Sequence, residues 1–280
     1  MTEKKQNTTL AEEHPAWWDI TNAIEGKSML RKMFLTDEIP CGYLARYEIE
    51  KGQPSFGVYS KNEGKPRKTP ICFKFEEGDG MVDGCALART FILDIENKDQ
   101  KLNNDEIADF FIDEETKFVM ALVDFALSED VYRTVPTSLE DQIKIVLSVL
   151  EKQNLIVSGV FCHPKTFKKY VKDLKIVDTT CEKCNPDDIT RRNNYGHIYG
   201  ADIYCHKNVP KNCLYITPSR EEVGALSVRQ NITLFSPAYP TTNPPKDIKE
   251  KINVAYEDIG ITLTNSNVVK KIVIKERKIK

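Results

Sequence analysis

The sequence lacks the short motifs on which many recognisable catalytic sites are built. It contains no G-x-S-x-G elbow for a nucleophilic serine, no H-E-x-x-H pair for a catalytic zinc and no P-loop for nucleoside triphosphates. It has only four histidines, and His163 precedes a proline at a turn, where it is expected to cap a helix. We therefore predict that the protein is not an enzyme and that it has no catalytic residues, no cofactor-binding residues and no cofactor.

Long apolar runs and a surplus of positive charge are also missing. No run approaches the length of about 18 apolar residues that spans a bilayer, so we expect no membrane partner. The stretch MTEKKQNTTLAEEHPAWW lacks the apolar core of a secretory signal, which predicts folding in a cytosol. With 40 Lys and Arg against 42 Asp and Glu, the net charge is −2, which argues against tight neutralisation of DNA phosphates.

The composition that is present is typical of a globular protein. A chain of 280 residues with 40% hydrophobic and 29% charged residues can bury a substantial core in one large domain or two ordinary ones. The eight cysteines are scattered along the chain. In a reducing cytosol we expect them to be free and mostly buried thiols, not a disulfide framework.

Cys181 and Cys184 have the C-x-x-C spacing that lets two thiolates bind one zinc ion. A structural zinc site needs two more ligands, and the available side chains are His197, Cys205, His206 and Cys213. These four form neither a second C-x-x-C nor an H-x₃₋₅-H pair. In the alternating stretch ADIYCHK, Ile203 and Cys205 share one strand face, and a buried cysteine there needs no metal. We therefore predict an incidental cysteine pair and no metal site, with zinc binding as the alternative.

Two further stretches resemble functional motifs but have simpler interpretations. GDGMVDG has its glycines at 78, 80 and 84, and the β-like sequence after it excludes the helix that a dinucleotide fingerprint requires, so we predict a turn. Asp113, Glu114 and Glu115 form an acidic cluster in a helical segment. We predict that this cluster is the solvated face of that helix.

The first 96 residues change character at about residue 40. From Pro15 to Leu35 apolar residues recur with a helical period, and two adjacent tryptophans, Trp17 and Trp18, lie close to a polar terminus. If later segments fill the core, a neighbouring chain is what would cover these tryptophans. Residues 41–96 contain short β-type runs broken by KGQP and KNEGKPRKTP, which predicts a β-ribbon with a basic tip.

A long helix over about 104–128 is the clearest element of the sequence. Asn103 is its expected N-cap and Glu106 stands at the capping-box position. Its apolar stripe is formed by Ile107, Phe110, Phe111, Phe118, Val119, Leu122, Phe125 and Ala126. A helix of this length suits a structural spine.

An α/β region follows the long helix. A capping box at Thr137 and Glu140 predicts a second helix, which leads to an apolar strand over 155–161 and a short helix after His163. The remainder is mostly strand, and the last two strands are expected to pack back against the long helix. We interpret the terminal VVKKIVIKERKIK as a strand with one wet face, not as a nucleic-acid patch.

Two stretches resemble the major capsid proteins of tailed phages with the Hong Kong 97-like fold. YGADIYCHKNVPKNCLYITPSREEVGALSVRQNITLF (199–235) is similar to the family's run of a glycine before a strand, an xxVP turn, a strand, an excursion and a strand containing an arginine, here Arg229. GVFCHPKTFKKYV (159–171) resembles the family's strand, turn and short helix. The resemblance covers nearly the whole chain in order and length. CEKC, at 181–184, is not a recognised feature of the family.

The resemblance implies an α+β fold of the Hong Kong 97-like type. In that family an N-terminal arm (N-arm) precedes a β-ribbon called the E-loop, a P-domain with a long spine helix and an α/β A-domain. The implied division is an N-arm over 1–40, the E-loop and an adjoining P-domain strand over 41–96, the spine helix over 97–132, the A-domain over 133–250 and closing P-domain strands over 251–280.

The resemblance also implies a function. A member of this family is the shell protein of a double-stranded DNA phage and assembles into the pentamers and hexamers of an icosahedral head. The implied partners are other copies of the chain, portal, scaffolding and decoration proteins, and packaged DNA held without sequence specificity, and the implied location is the virion, after assembly in the host cytoplasm. The alternatives are an encapsulin-type compartment shell and, in another class, a zinc-dependent nucleic-acid-binding protein.

Overall fold

The computed structural model describes residues 17–38, 46–47, 56–57, 71–77, 80–97, 100–127, 131–178, 193–235, 253–263 and 265–275. Its helices are α1 (Trp17–Lys27), α2 (Met29–Met33), α3 (Asn104–Ala126), α4 (Leu139–Lys152), α5 (Pro164–Thr166, continued by a π-helical turn over Phe167–Val171) and α6 (Arg220–Val223). None of the helices in the described residues is long and apolar enough to cross a membrane.

The strands are mostly short, and β5, β14 and β15 are the longest of them. In chain order they are β1 (Leu35–Glu38), β2 (Arg46–Tyr47), β3 (Phe56–Gly57), β4 (Ile71–Glu77), β5 (Gly80–Asp94), β6 (Glu96–Asn97), β7 (Gln100–Lys101), β8 (Val131–Thr134), β9 (Val157–Cys162), β10 (Val177–Asp178), β11 (Asn194–Ile198), β12 (Ala201–Cys205), β13 (Cys213–Pro218), β14 (Gly224–Phe235), β15 (Val254–Leu263) and β16 (Lys270–Ile274).

A five-stranded sheet has the order β1-β14-β15-β5-β4. β15 runs antiparallel to both of its neighbours, with Ile259 paired to Val228 of β14 and to Arg89 of β5. β1 adds in parallel to β14, and β4 pairs antiparallel with β5. The strand that comes late in the chain therefore lies at the centre of this sheet, although its neighbours are distant in sequence.

A seven-stranded sheet has the order β10-β11-β12-β9-β13-β16-β8 and separates two cores. Val160 of β9 and Ile216 of β13 face α4, where they pack with the buried Leu139, Ile143, Val146 and Leu150. Phe161 and Tyr215, one residue along each strand, belong to the core that contains α3. The alternation follows from the period of two along a strand, and here both faces of the sheet are covered.

Helix α3 lies between the two sheets, as expected for a spine. It has 23 residues, which corresponds to about 34 Å, and its capping box is formed by Asn103 and Glu106 as the sequence predicts. Phe118 packs edge to face on Phe91 of the five-stranded sheet, with ring centroids 5.7 Å apart. The prediction that Phe125 belongs to the apolar stripe is wrong, because its side chain is 52% exposed.

In the described part of the predicted arm, the apolar side chains of α1 and α2 belong to the core of the chain itself. Ile20, Ile24, Leu30 and Phe34 are almost completely buried in the same cluster as α3. The apolar stripe predicted from the sequence is present, and α3 and the five-stranded sheet of the same chain cover it. The division with an arm over 1–40 stays a prediction, and the residues before Trp17 lie outside the described residues.

Two local predictions about the second half of the chain need correction. The capping box at Thr137 and Glu140 does not form: a 3₁₀ turn over Pro136–Ser138 precedes α4, and Glu140 binds Lys144. The terminal strand β16 has no wet face, since Lys270 is buried on one face and Lys271, on the other, is only 15% exposed. The prediction that the last two strands pack against the long helix is confirmed, with β15 in the five-stranded sheet and β16 in the seven-stranded sheet.

The ribbon prediction can be compared with the structure only in part. β4 and β5 form an antiparallel pair with Glu77 opposite Gly80, so strands flank the GDGMVDG stretch and the prediction that no dinucleotide-binding helix follows it is confirmed. β2 and β3 also pair antiparallel. The rest of the predicted basic tip lies outside the described residues.

Candidate functional site

The candidate zinc-ligating cysteines are distributed over both cores. Cys205 faces the α4 side of the seven-stranded sheet with Ile203, as the sequence predicts, and its sulfur lies 3.5 Å from that of Cys162. Burial and the neighbouring thiol raise the pKa of Cys205, so the thiol stays protonated. Cys213 lies in the core on the opposite face. Cys181 and Cys184 lie outside the described residues.

The candidate histidine ligands have other partners. His197 Nδ1 is 2.8 Å from Asp202 Oδ1, and His206 Nε2 is 3.4 Å from Asp113 Oδ1. Within the ranges that the structure describes, no group of three or more His, Cys, Asp or Glu side chains could hold a metal ion. The structure therefore does not bring the sequence-predicted ligands together, and zinc binding at the 181–184 pair stays an untested alternative.

Three of the four cysteines whose side chains the structure describes follow the sequence expectation. Cys162, Cys205 and Cys213 are free and buried. Cys85 of β5, the Cα partner of Cys72 across the β4–β5 pair, is disulfide-bonded, so the expectation of free thiols is wrong there. A disulfide bond at Cys85 depends on which residue the strand register places opposite it, and the composition of the chain does not give this register.

A polar cleft of about 220 Å³ lies between α3, the turn after β9 and the start of β11. Lys27, Asp109, Asp113, His206 and Lys207 are among its lining residues. Ligand pockets are usually larger, about 300–1,000 Å³, and mostly apolar. In this cleft Lys207 Nζ lies 2.7 Å from Asp113 Oδ2, so these two charges neutralise each other. The cleft offers neither the volume nor the apolar lining of a typical substrate site.

His206 at the cleft wall is unsuited to general base catalysis at neutral pH. Its Nδ1 accepts a hydrogen bond from the backbone N–H of Asn208, which leaves Nε2–H directed at Asp113. Burial lowers the pKa of His206 to about 4, against the opposing effect of Asp113. The imidazole is therefore neutral at pH 7 and acts as a structural hydrogen-bonding group.

This histidine should make the fold sensitive to acid. Because its folded pKa of about 4 lies below the ordinary 6.5, the contribution to stability is complete above pH 6.5 and is lost as the pH falls towards 4. We expect the free energy of unfolding to fall by up to about 3 kcal/mol over this window from His206 alone. Urea titrations at several pH values should show a shallower acid slope for His206→Gln, whereas the exposed Lys168→Gln should keep the wild-type slope. Equal slopes in all three proteins would contradict the assignment.

A buried charge cluster joins α2, α3 and β15. The Arg31 guanidinium contacts Glu115 through Nε at 3.1 Å and Nη2 at 3.0 Å, and its Nη2 lies 2.5 Å from Glu257 Oε1. The hydroxyl of Ser28, the N-cap of α2, donates to Glu115 Oε2. Arg31 is 5% exposed and both carboxylates are fully buried. Burial opposes the charge of Arg31, but the two carboxylates outweigh it and raise the pKa of the guanidinium.

The charge cluster contradicts the prediction that Glu115 belongs to a solvated face. Of the acidic run, only Asp113 and Glu114 are partly exposed, and Glu114 pairs with Lys117. A signal was available in the sequence, because position 115 lies four residues after Phe111 and three before Phe118 and so falls on the buried side of α3. Because all three residues of the run are acidic, the sequence pattern indicated one solvated face.

A second polar contact fixes the C-terminal end of α3 to the seven-stranded sheet. Asp124 accepts hydrogen bonds from the Tyr215 hydroxyl at 2.6 Å and from Lys271 Nζ at 2.7 Å. Lys271 also lies 5.2 Å from the centre of the Tyr215 ring. The spine is therefore held by charged groups at its middle and near its C-terminal end, as well as by its apolar side.

Several large apolar side chains are exposed on separate elements. Trp18 on α1 is 72% exposed, which confirms the expectation that this tryptophan is not covered by its own chain. The other exposed large hydrophobic side chains among the described residues are Leu35, Phe125, Ile145, Ile156 and Tyr199. Exposed single residues are common in proteins, but an exposed tryptophan is not, since this residue is usually well buried.

No protein-family model and no curated protein matches the chain. Similar solved structures include a virus-like particle from Pyrococcus furiosus, at 15% identity over 91% of this chain and 98% of that one, with a TM-score of 0.45. The capsid of the cyanophage P-SCSP1u is 8% identical over 90% of this chain and 89% of that one, with a TM-score of 0.46. A structure of Microbacterium phage Oxtober96 is 11% identical over 99% of this chain and 96% of that one, with a TM-score of 0.44. Phage capsid structures are thus among those that the chain resembles. Because all three TM-scores are below 0.5, a proposal for the function has to rest on the chain's own structure.

Proposed function

We propose that the chain is the major capsid protein of a tailed double-stranded DNA phage and assembles into the pentamers and hexamers of an icosahedral head. The observation that carries this proposal is the path of the chain. A ribbon strand, β5, leads into the five-stranded sheet, α3 then runs between the two sheets, and the α/β part follows. The chain finally returns and inserts β15 between β14 and β5.

This path has the order that the Hong Kong 97-like resemblance implies. In the proposed assignment β4 and β5 belong to the E-loop and its adjoining P-domain strand, α3 is the spine helix and the seven-stranded sheet with α4 is the A-domain. β15 is then the closing P-domain strand. The assignment differs from the sequence expectation in that α1 and α2 belong to the P-domain core and β16 to the A-domain sheet.

Exposed anchors on the surface support assembly as the function. Tryptophan and tyrosine are enriched among the residues that dominate binding energy at protein interfaces. Trp18 and Tyr199 are 72% and 66% exposed and belong to different elements, α1 and the turn between β11 and β12. A shell subunit contacts several neighbours through different surfaces, and modest contacts add over a closed lattice.

The same proposal accounts for the absence of a catalytic arrangement in the part of the chain that the structure describes. Lys207 and Asp113 in the cleft neutralise each other, and the cleft histidine is neutral and hydrogen-bonded. The net charge of −2 also suits a shell that encloses DNA without gripping it. Copies of the chain are the main proposed partners, with portal, scaffolding and decoration proteins and the packaged genome as the others.

Electron microscopy of the purified full chain tests the proposal. We expect rings, sheets or shells in negative stain, and an unassociated monomer under all assembly conditions would contradict the shell function. Particles that contain cargo protein instead of DNA would favour the encapsulin-type alternative.

The exposed tryptophan provides a sharper version of this test. Trp18→Ser should change the free energy of unfolding by less than about 0.5 kcal/mol, because the side chain is exposed. Assembly should require at least about tenfold more protein, since interface tryptophans often contribute 2 kcal/mol or more. Asn22→Ser, an exposed change one turn along α1, is the matched control and should assemble normally. Normal assembly of Trp18→Ser would exclude Trp18 from the subunit interface.

A further inference from the structure

The charge cluster of Arg31, Glu115 and Glu257 contains two carboxylates and one cation. The groups come from three elements that are far apart in sequence, with Arg31 separated from Glu115 by 84 positions and from Glu257 by 226. All three side chains are buried, so water does not balance the difference. A buried uncompensated charge is costly, and one of the two carboxyl groups is therefore expected to carry a proton.

The hydrogen bonds identify which carboxyl group holds the proton. Glu115 accepts hydrogen bonds from the Ser28 hydroxyl and from Nε and Nη2 of Arg31. Glu257 accepts a hydrogen bond from Arg31 Nη2 on Oε1, and its Oε2 has no hydrogen-bond partner. Glu257 is thus the buried carboxyl group with fewer donors around it, and the proton belongs on Glu257.

We propose that Arg31, Glu115 and Glu257 form a pH-sensitive latch, which holds α1 and α2 on α3 while Glu257 is protonated and loosens them when Glu257 loses its proton. With the proton in place the cluster is one guanidinium and one carboxylate, which is neutral. Without the proton a net negative charge remains in the core, and the arrangement is stabilised only if water can reach it.

The direction of the pH dependence follows from the environment of Glu257. Complete burial, followed by the charge of Glu115, raises the pKa of Glu257 well above the ordinary value of 4.5. The folded state therefore binds more protons than the unfolded state above that value. The contribution of the latch is complete below pH 4.5 and is lost as the pH rises through the folded pKa of Glu257.

The segment that yields is the one that no strand ladder holds. β15 is paired on both sides in its sheet, and α3 is also fixed through Asp124 to the other sheet. α1 and α2 have only 11 and 5 residues. The charged groups facing Arg31 are Glu115, Glu257 and, from α1, Glu25, and those facing Glu257 are Glu115 and Arg31. Loosening α1 and α2 thus admits water to the cluster without breaking a strand ladder.

The latch does not depend on the proposed shell function, because it concerns one chain. It would nevertheless act on the exposed Trp18, which α1 carries. It would also act on β1, which follows α2 directly and pairs with β14. The position of this surface relative to the rest of the chain would then depend on pH.

Hydrogen exchange of the full chain at pH 6 and pH 9, corrected for the intrinsic exchange rate, tests the latch. In the wild type we expect amides of residues 20–34 to lose at least tenfold of their protection at pH 9, while α4 keeps its protection. Glu257→Gln, whose amide mimics the protonated acid, should keep the protection of 20–34 at both pH values. Glu114→Gln is the matched control on α3 and should behave as the wild type, since Glu114 lies outside the cluster and pairs with Lys117.

Two outcomes of the exchange experiment would overturn the latch. The first is equal protection of 20–34 in the wild type at both pH values, and the second is the same loss in Glu257→Gln. A parallel loss in α4 would mark unfolding of the whole chain and would also overturn it. If Glu257→Gln does not fold, infrared spectroscopy of the wild type still decides, because a protonated carboxyl absorption must be present at pH 6 and must disappear together with the protection of 20–34.

Discussion

Arg31→Met is expected to lower the free energy of unfolding by about 3–5 kcal/mol, because it leaves two buried carboxyl groups without their shared cation. A loss of this size is a large fraction of the total stability of an ordinary domain, about 5–15 kcal/mol, so the variant is expected to be barely folded at room temperature. Arg31 is 5% exposed, and both of its partners are fully buried. Urea denaturation followed by circular dichroism at pH 7 measures the effect.

Two further variants separate charge from shape at this position. Arg133→Met removes an exposed arginine from the edge strand β8 and should change the stability by less than about 0.5 kcal/mol. The triple variant Arg31→Met, Glu115→Leu and Glu257→Leu replaces the whole cluster by apolar side chains and should recover most of the loss, since buried ion clusters can be exchanged for apolar groups at little cost. A triple variant as unstable as Arg31→Met would mean that packing, not charge, causes the effect.

Gly224→Ala is expected to have the second large effect, a loss of about 3 kcal/mol or more. Gly224 begins β14 with φ +151°, a conformation that side chains rarely adopt, and an added Cβ would lie 2.0 Å from the backbone oxygen of Thr262. That oxygen belongs to β15, the central strand of the five-stranded sheet, so neither strand can move without disturbing the ladder. Strain and overlap therefore add at this position.

Gly200→Ala is the matched control for this prediction. Gly200 has φ +85°, but an added Cβ would have no atom within 4 Å. Only the backbone strain remains, which corresponds to about 1–2 kcal/mol. Equal losses of unfolding free energy in Gly200→Ala and Gly224→Ala, measured in urea, would show that the contact with Thr262 adds nothing.

Several elements could be predicted from the sequence because the interactions that define them are local. The N-cap and capping box of α3 join residues three positions apart, and His163 caps α5 through the backbone N–H of Lys165. The shared face of Ile203 and Cys205 follows from the period of two along a strand. In each case the partners lie within a few residues, so the local pattern contains the whole interaction.

The predictions that failed depend on partners that are distant in sequence. The stripe from Ile20 to Phe34 predicts a buried face, but the same stripe would be buried by a neighbouring chain or by α3. Glu115 looked solvated because its cation, Arg31, lies 84 positions away. β16 was expected to have one wet face because its alternation cannot show that Lys271 pairs with Asp124, 147 positions away.

The sequence by itself therefore determined the elements of this protein, namely a spine helix, a strand-rich remainder, and an exposed tryptophan near one end. The tertiary structure alone decided which surfaces meet: that α1 and α2 pack on α3, that β15 lies between β14 and β5, and that three distant charged residues share one buried cluster. The physical reason is that hydrophobic periodicity specifies which face of an element is buried, whereas strand register and buried charge pairing depend on groups that only folding brings together.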